Sequence, residues 1–321
     1  MKPIVFEPVY QERVWGGRML EKMFGRPLPD PISPYGESWE LVDREEAQSV
    51  VAGGRFDGWP LERLWKEKRV EVFGARAPDV ERCPLFVKIL DASEKLSLQV
   101  HPPAAIADEL GGEPKSEMWV VLAAADDAEL YMGLRQGVGR EAFERAVATG
   151  EMEPIVHRVR VGSGDVFNIP SGRLHAIGEG LVILEVQQNS DTTYRVCDWG
   201  RMGLDGMPRE LHVSEGLRSI NFEDFEPEKI VPDNETLLQC PEFIVERIEF
   251  EPGKLGLVDH AETAAFFFVV TGSVRCDANA FKTGDSFLIP KSAVAGVPSG
   301  LVAGEDGVTL VRIRFGEPGR S

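Results

Sequence analysis

One eight-residue pattern occurs twice in this chain and limits what it can fold into. Gly164-Asp165-Val166-Phe167-Asn168-Ile169-Pro170-Ser171 returns as Gly284-Asp285-Ser286-Phe287-Leu288-Ile289-Pro290-Lys291, a Gly-Asp turn that feeds a strand and a proline that ends it. Two copies of one turn–strand unit imply two related barrels. Around them lie short β-branched and aromatic runs separated by Gly, Asp and Pro, at 119–123, 129–133, 155–161, 181–188, 192–197, 243–250, 265–270 and 308–315. Turn spacing this regular predicts an all-β barrel or sandwich. Helical signals are few. Residues 60–67 open with a proline in the first turn, 141–148 end at Gly150, and 104–110 are closed by Gly111-Gly112. The 321 residues are enough for two domains of about 100–200 residues each. The acidic, proline-punctuated stretch from Asn221 to Glu235 is the expected connection. The expected division is a first barrel over residues 1–222, a linker over 223–234 and a second barrel over 235–321.

The two copies differ where chemistry would sit. The residue five beyond Pro170 is His175, whereas the residue five beyond Pro290 is Ala295, so only the first barrel is expected to carry a site. In Lys95-Leu96-Ser97-Leu98-Gln99-Val100-His101-Pro102, read as a strand, Ser97, Gln99 and His101 share one side and Leu96, Leu98 and Val100 the other. Taken alone, that polar side could simply meet water. Two further segments repeat the arrangement, because Lys115 and Glu117 stand two apart before the apolar run at 118–125, and His175 follows the Gly-Asp turn and its loop. Two imidazoles, a carboxylate and an amide oxygen form a donor set suited to a divalent borderline metal, most plausibly Zn²⁺, with a residual positive charge able to polarise an oxygen. His157, His212 and His260 lack such company and read as ordinary polar residues.

In the run 181–188, Glu185 and Gln187 fall on the same face as Leu181 and Ile183, which puts a carboxylate among apolar side chains. Burial there raises its pKa toward the range of a proton carrier; the alternative is a structural ion pair, for instance with Arg195. Arg195 and Arg201, six apart around an Asp-Trp-Gly turn, can grip a phosphate through planar guanidinium forks, although each alone fits a solvated surface equally.

Charge and cysteine usage exclude several other classes. With 35 Lys+Arg against 53 Asp+Glu, the net charge of −18 opposes a sequence-independent grip on nucleic acid or an anionic bilayer. No apolar run approaches the ~20 residues needed to span a membrane, and MKPIVFEPVYQERVWGG has neither the basic flank nor the apolar run of a signal peptide, so a cytoplasmic location is expected. Four scattered cysteines without a CxxC suggest neither a disulfide framework nor a thiolate zinc site. Any metal must therefore use His and carboxylate.

Seven stretches taken in order carry a resemblance that spans almost the whole chain. They are Val14-Trp15-Gly16-Gly17, Tyr35-Gly36-Glu37-Ser38-Trp39-Glu40, Pro84-Leu85-Phe86-Val87-Lys88-Ile89-Leu90-Asp91, Leu96-Ser97-Leu98-Gln99-Val100-His101-Pro102, Lys115-Ser116-Glu117-Met118-Trp119, Ile169-Pro170-Ser171-Gly172-Arg173-Leu174-His175-Ala176 and Gln187-Gln188-Asn189-Ser190-Asp191-Thr192-Thr193-Tyr194-Arg195. Together they resemble the type I mannose-6-phosphate isomerase (phosphomannose isomerase) family, in its short bacterial form without a large helical insertion. The resemblance implies two cupin-type β-barrels (double-stranded β-helix, or jelly roll) with a few short helices, the second lacking metal ligands. It also implies one Zn²⁺ per chain and the interconversion of mannose 6-phosphate and fructose 6-phosphate through a cis-enediol. The family's zinc ligands fall on Gln99, His101, Glu117 and His175, its catalytic arginine on Arg195, and its other pocket residues on Ser97, Lys115, Glu185 and Asp191. Arg201 stands where longer relatives commonly have Lys, and Cys197-Asp198-Trp199 departs from the usual tyrosine-bearing sequence of short forms.

On that basis Glu185 is the expected proton carrier between C2 and C1. Lys115 is assigned to ring opening or oxyanion support, Arg195 to the enediolate or the phosphate, and Ser97 and Arg201 complete the phosphate grip. The expected partner is a small sugar phosphate, with the chain a monomer or homodimer. Two other readings use the same residues. An Fe(II) oxygenase could use two His and a carboxylate but gives Lys115, Arg195 and Arg201 no purpose. A regulatory sugar-phosphate-binding module would gain nothing from Glu185 in its pocket.

Overall fold

Both copies of the Gly-Asp motif build the same turn. In the computed structural model, which describes residues 2–258, 262–291 and 299–316, Gly164 and Gly284 each have φ of +89°, a conformation that a residue with a Cβ rarely adopts. Asp165 Oδ2 accepts the Gly162 N–H at 3.0 Å and Asp285 Oδ2 accepts the Lys282 N–H at 2.8 Å. Each turn also exchanges two backbone bonds with the neighbouring strand, Gly164 and Asp165 with Val121, and Gly284 and Asp285 with Val269. Ala295 lies outside the described residues.

The chain is mainly β and forms cupin barrels, in antiparallel sheets. The first barrel faces a six-stranded sheet against a five-stranded one. The six-stranded sheet runs in the order Val166–Ile169, Glu117–Ala124, Leu181–Gln188, Leu85–Ala92, Tyr35–Leu41 and Val9–Gly17. The five-stranded sheet runs Tyr194–Cys197, Leu98–Val100, His175–Ile177, Glu129–Leu134 and Val156–Arg160. Alternation along the strands separates two cores. Trp119, Val121 and Ile183 point inward to meet Leu130, Met132 and Ile177, while Val120, Leu184 and Val186 point outward. That outward face packs on Phe243, Phe266, Phe268 and Ile313 of a third, seven-stranded sheet built from the later part of the chain, so one apolar cluster joins the two halves. Asn221 to Glu235 lies along the first barrel: Arg173 pairs with Asp224 through two bonds of 2.8 Å, and the Ile230 N–H donates to the Val166 carbonyl at 2.8 Å.

Two of the three expected helices form, as Leu61–Lys68 and Arg140–Thr149. Residues 104–110 do not form an α-helix; turns end in a single 3₁₀ turn, Asp108–Leu110. With prolines at 102 and 103 and left-handed Gly111 close behind, the segment is too short to offset helix nucleation. The expected strand around Gln99 is likewise confined to Leu98–Val100.

A buried polar knot crosses between the halves. Arg26 donates to Glu40 Oε1 at 2.6 Å and Oε2 at 3.0 Å and also to the Gly284 carbonyl, while Ser286 donates to Glu40 Oε2 at 2.8 Å. Removing the shared acceptor strands a mostly buried guanidinium, which costs about 3–5 kcal/mol in comparable pairs. Glu40→Ala is therefore expected to lower the unfolding free energy in urea by about 3 kcal/mol. A loss below about 1 kcal/mol would show that the knot contributes little net stability.

Candidate metal centre and active-site pocket

Three separated strand ends bring His101, Glu117 and His175 together. His101 follows the strand Leu98–Val100, while Glu117 and His175 open the strands Glu117–Ala124 and His175–Ile177. Gln99 sits directly opposite His175 in the ladder. One ligand atom from each of His101, Glu117 and His175 lies within 4.8 Å of the others, and all three side chains are essentially inaccessible. His101 Nε2 stands 3.5 Å from Glu117 Oε2, and His175 Nε2 stands 3.4 Å from Glu117 Oε1.

The rest of each ring is already committed. His101 Nδ1–H donates to the Thr192 carbonyl at 2.8 Å and His175 Nδ1–H to the Arg173 carbonyl at 2.9 Å. That fixes the tautomer in which each Nε2 carries a lone pair toward Glu117. Burial pushes both imidazoles below their usual pKa, His175 to about 3, so both are neutral at pH 7. For Glu117, burial opposes ionisation, but the charge of Lys115, whose Nζ is 3.0 Å away, holds the carboxyl well below the usual range. The result is two neutral imidazoles and one carboxylate, converging and dry. Among the described residues His101 Nε2 and Glu117 Oε1 are buried without a hydrogen-bond partner, and Glu117 Oε2 meets only the Lys115 ammonium, a state that a coordinated cation would relieve. Gln99 Nε2 lies 3.3 Å from His175 Nε2; turning this amide over presents its oxygen instead, and the two ends are equivalent in shape.

A cavity of about 610 Å³ adjoins this cluster, and Ser97, Gln99, Lys115, Glu185, Asp191 and Arg195 all line it. Gln99 and Lys115 connect it to the three buried groups. Glu185 faces inward beside Ile183, as its place in the strand predicts, and accepts the Trp119 indole N–H at 3.0 Å. Burial, and then the charge of Glu117, raise its pKa. Its nearest cation is Lys88 at 3.6 Å rather than Arg195. Arg201 is not among the lining residues. Its guanidinium donates to Asp198 at 2.8 Å and to the Lys95 carbonyl at 2.5 Å, turned away by the bend after Cys197.

Several lining residues had drawn no assignment. Lys88 is 4% exposed and stands over the Phe86 ring at 4.3 Å; a lone cation in the apolar run 85–90 was its signal. Arg13 forks onto Glu37 at 3.0 and 3.1 Å. Burial alone would raise Glu37, but Lys88 and Arg13 outweigh it and hold this carboxyl at about 2. Arg209 lines the cavity beside Arg195. So does His212, expected to be an ordinary polar residue; its Nδ1 accepts the Arg195 backbone N–H at 3.4 Å. His157 lies outside the cavity on Val156–Arg160, and His260 lies outside the described residues.

A family model described as the catalytic domain of type I phosphomannose isomerase matches residues 4–131. Mannose-6-phosphate isomerase ManA of Bacillus subtilis is 36% identical over 308 residues, covering 90% of this chain and 93% of that protein. The crystal structure of the mannose 6-phosphate isomerase from Bacillus subtilis superposes with a TM-score of 0.87 at 30% identity, over 98% of this chain and 100% of the other. A mannose 6-phosphate isomerase bound with zinc and yttrium shares the fold at a TM-score of 0.75 and 18% identity, over 98% of this chain and 100% of that one. Among the described residues no helix is long and apolar enough to cross a membrane.

Proposed function

We propose, from the premise that this chain belongs to the type I phosphomannose isomerase family and is a mannose-6-phosphate isomerase, that it works with one Zn²⁺ per chain held by Gln99, His101, Glu117 and His175. The observation that carries this reading is the convergence of two buried imidazole Nε2 atoms and a buried carboxylate at one point beside the cavity, with His101 Nε2 and Glu117 Oε1 left without a hydrogen-bond partner among the described residues. A zinc-bound relative of the same fold agrees with that choice of ion. When bound, the cation supplies Lewis-acid stabilisation of negative charge developing on the sugar oxygens.

The remaining work falls to the chain's own side chains. Isomerisation of the opened aldose moves a proton from C2 to C1 and another from O2 to O1, with no net redox change. Glu185 accepts the C2 proton as the enediol forms and returns it to C1; one carboxylate on one face can reach both carbons. Its seat between Trp119 and Lys88 fixes its direction. Lys115, buried and 3.0 Å from Glu117, supports ring opening or the oxyanion. Arg195 faces the enediolate or the phosphate, Ser97 adds to the phosphate grip, Asp191 lines the same pocket, and Arg201 contributes positive charge from behind the wall. In the same proposal residues 1–222 form the catalytic barrel, 223–234 the connection and 235–321 a barrel without ligands. Four free cysteines fit a reducing, cytoplasmic setting.

A coupled assay for fructose 6-phosphate formation tests this. Turnover of mannose 6-phosphate is expected to fall at least tenfold after incubation with a chelator and to return on adding Zn²⁺. Full activity with the metal removed would overturn the metal role.

A further inference from the structure

We propose that Arg209, oriented by Asp198, forms the phosphate subsite together with Arg195; the assignment deepens the reading of this cavity as the sugar-phosphate site. Arg209 and Arg201 converge on one carboxylate. Arg209 Nε donates to Asp198 Oδ2 at 2.7 Å and its Nη2 to Oδ1 at 2.5 Å, while Arg201 Nη2 donates to Oδ1 at 2.8 Å. Asp198 is 6% exposed, so its charge is consumed by these contacts. Arg209 is thus locked by two of its donors, leaving Nη1 without an acceptor among the described residues. A clamped, preorganised guanidinium with one edge free is the arrangement that binds an anion at low entropic cost.

The preceding strand, Tyr194–Cys197, brings the second cation. Arg195 donates through Nη1 to the Glu210 carbonyl at 2.9 Å, and the His212 N–H donates back to the Arg195 carbonyl at 2.7 Å, so the segment bearing Arg209 is tied to the strand bearing Arg195. Arg195 Nε is buried and has no hydrogen-bond acceptor among the described residues. Such a donor calls for a ligand oxygen. Arg201 lies outside the lining and is also offset by Glu94 at 3.8 Å. The guanidinium charge facing the cavity is therefore that of Arg195 and Arg209 against the shared Asp198, a local cationic surplus that favours a phosphate monoester. Asp205 also lines this end, its Oδ1 accepting the Met207 N–H at 2.9 Å, and its carboxylate offsets part of the two arginines' charge. Arg209 therefore touches the substrate, and Asp198 acts through it as a positioning residue.

The test compares KM and kcat for mannose 6-phosphate with the inhibition constant of inorganic phosphate in wild type, Arg209→Met, Arg209→Lys and Asp198→Asn. Arg209→Met is expected to raise both KM and the phosphate inhibition constant by about 10–100-fold, with kcat within about threefold of wild type. Arg209→Lys should show a smaller rise in both, and Asp198→Asn about a tenfold rise in both. A kcat loss with KM and the phosphate constant unchanged in Arg209→Met and Arg209→Lys would overturn the assignment, as would unchanged binding in every variant. Failure of the underlying reading looks different: inorganic phosphate would then not compete with mannose 6-phosphate even in the wild-type enzyme.

Discussion

Glu185→Gln is expected to lower kcat for mannose 6-phosphate by about 10²–10⁴-fold while changing KM by less than about threefold. The substitution keeps the volume and an acceptor for the Trp119 indole but removes the only atom pair that can take a proton from C2 at this position. The pH profile gives a second readout. Burial raises the Glu185 pKa, so its basic form disappears on acidification at a higher pH than for a free glutamate. The wild-type acid limb of kcat/KM should lie at a higher pH than a free glutamate would give and should be missing from the residual activity of Glu185→Gln. Unimpaired turnover in the variant would remove Glu185 as the proton carrier and leave the barrel without an obvious base on that face.

Glu117→Gln is the second large effect. Glu117 contributes the sole negative charge among the buried ligands, and Lys115 sits 3.0 Å from it. Removing that charge leaves a lysine that is 4% exposed facing two neutral imidazoles, a site that repels a divalent ion. Metal affinity is expected to fall by at least about 10²-fold and kcat/KM with it. Added Zn²⁺ should recover only part of the activity. His175→Ala should act in the same direction, because it removes an Nε2 donor held in place by the Arg173 carbonyl.

The parts of this arrangement that could be read in advance are those where the chain's own periodicity carries the information. Glycine at φ +89° followed by an N–H-capping aspartate is one local device used twice, and it placed His175 just beyond its strand. Alternation places Glu185 inside with Ile183, and the order of motifs anticipates that His101, Glu117 and His175 converge. Lys88 was less visible, because the strand Leu85–Ala92 is buried on both faces and shows no alternation to mark a side. Arg209 was invisible for another reason. Its position beside Arg195 depends on the chain folding back so that His212 pairs with Arg195, a contact that no spacing encodes. The same bend turns Arg201 out of the cavity, although its distance along the chain from Arg195 suggests a shared grip.

The convergence of side chains from three strands on one ion is tested most directly by counting the ion. Elemental analysis of purified protein is expected to find about one divalent metal per wild-type chain, and much less than one in Glu117→Gln and His175→Ala prepared alongside it. Equal metal content in all three, or a wild-type chain that turns over mannose 6-phosphate with none, would contradict the account.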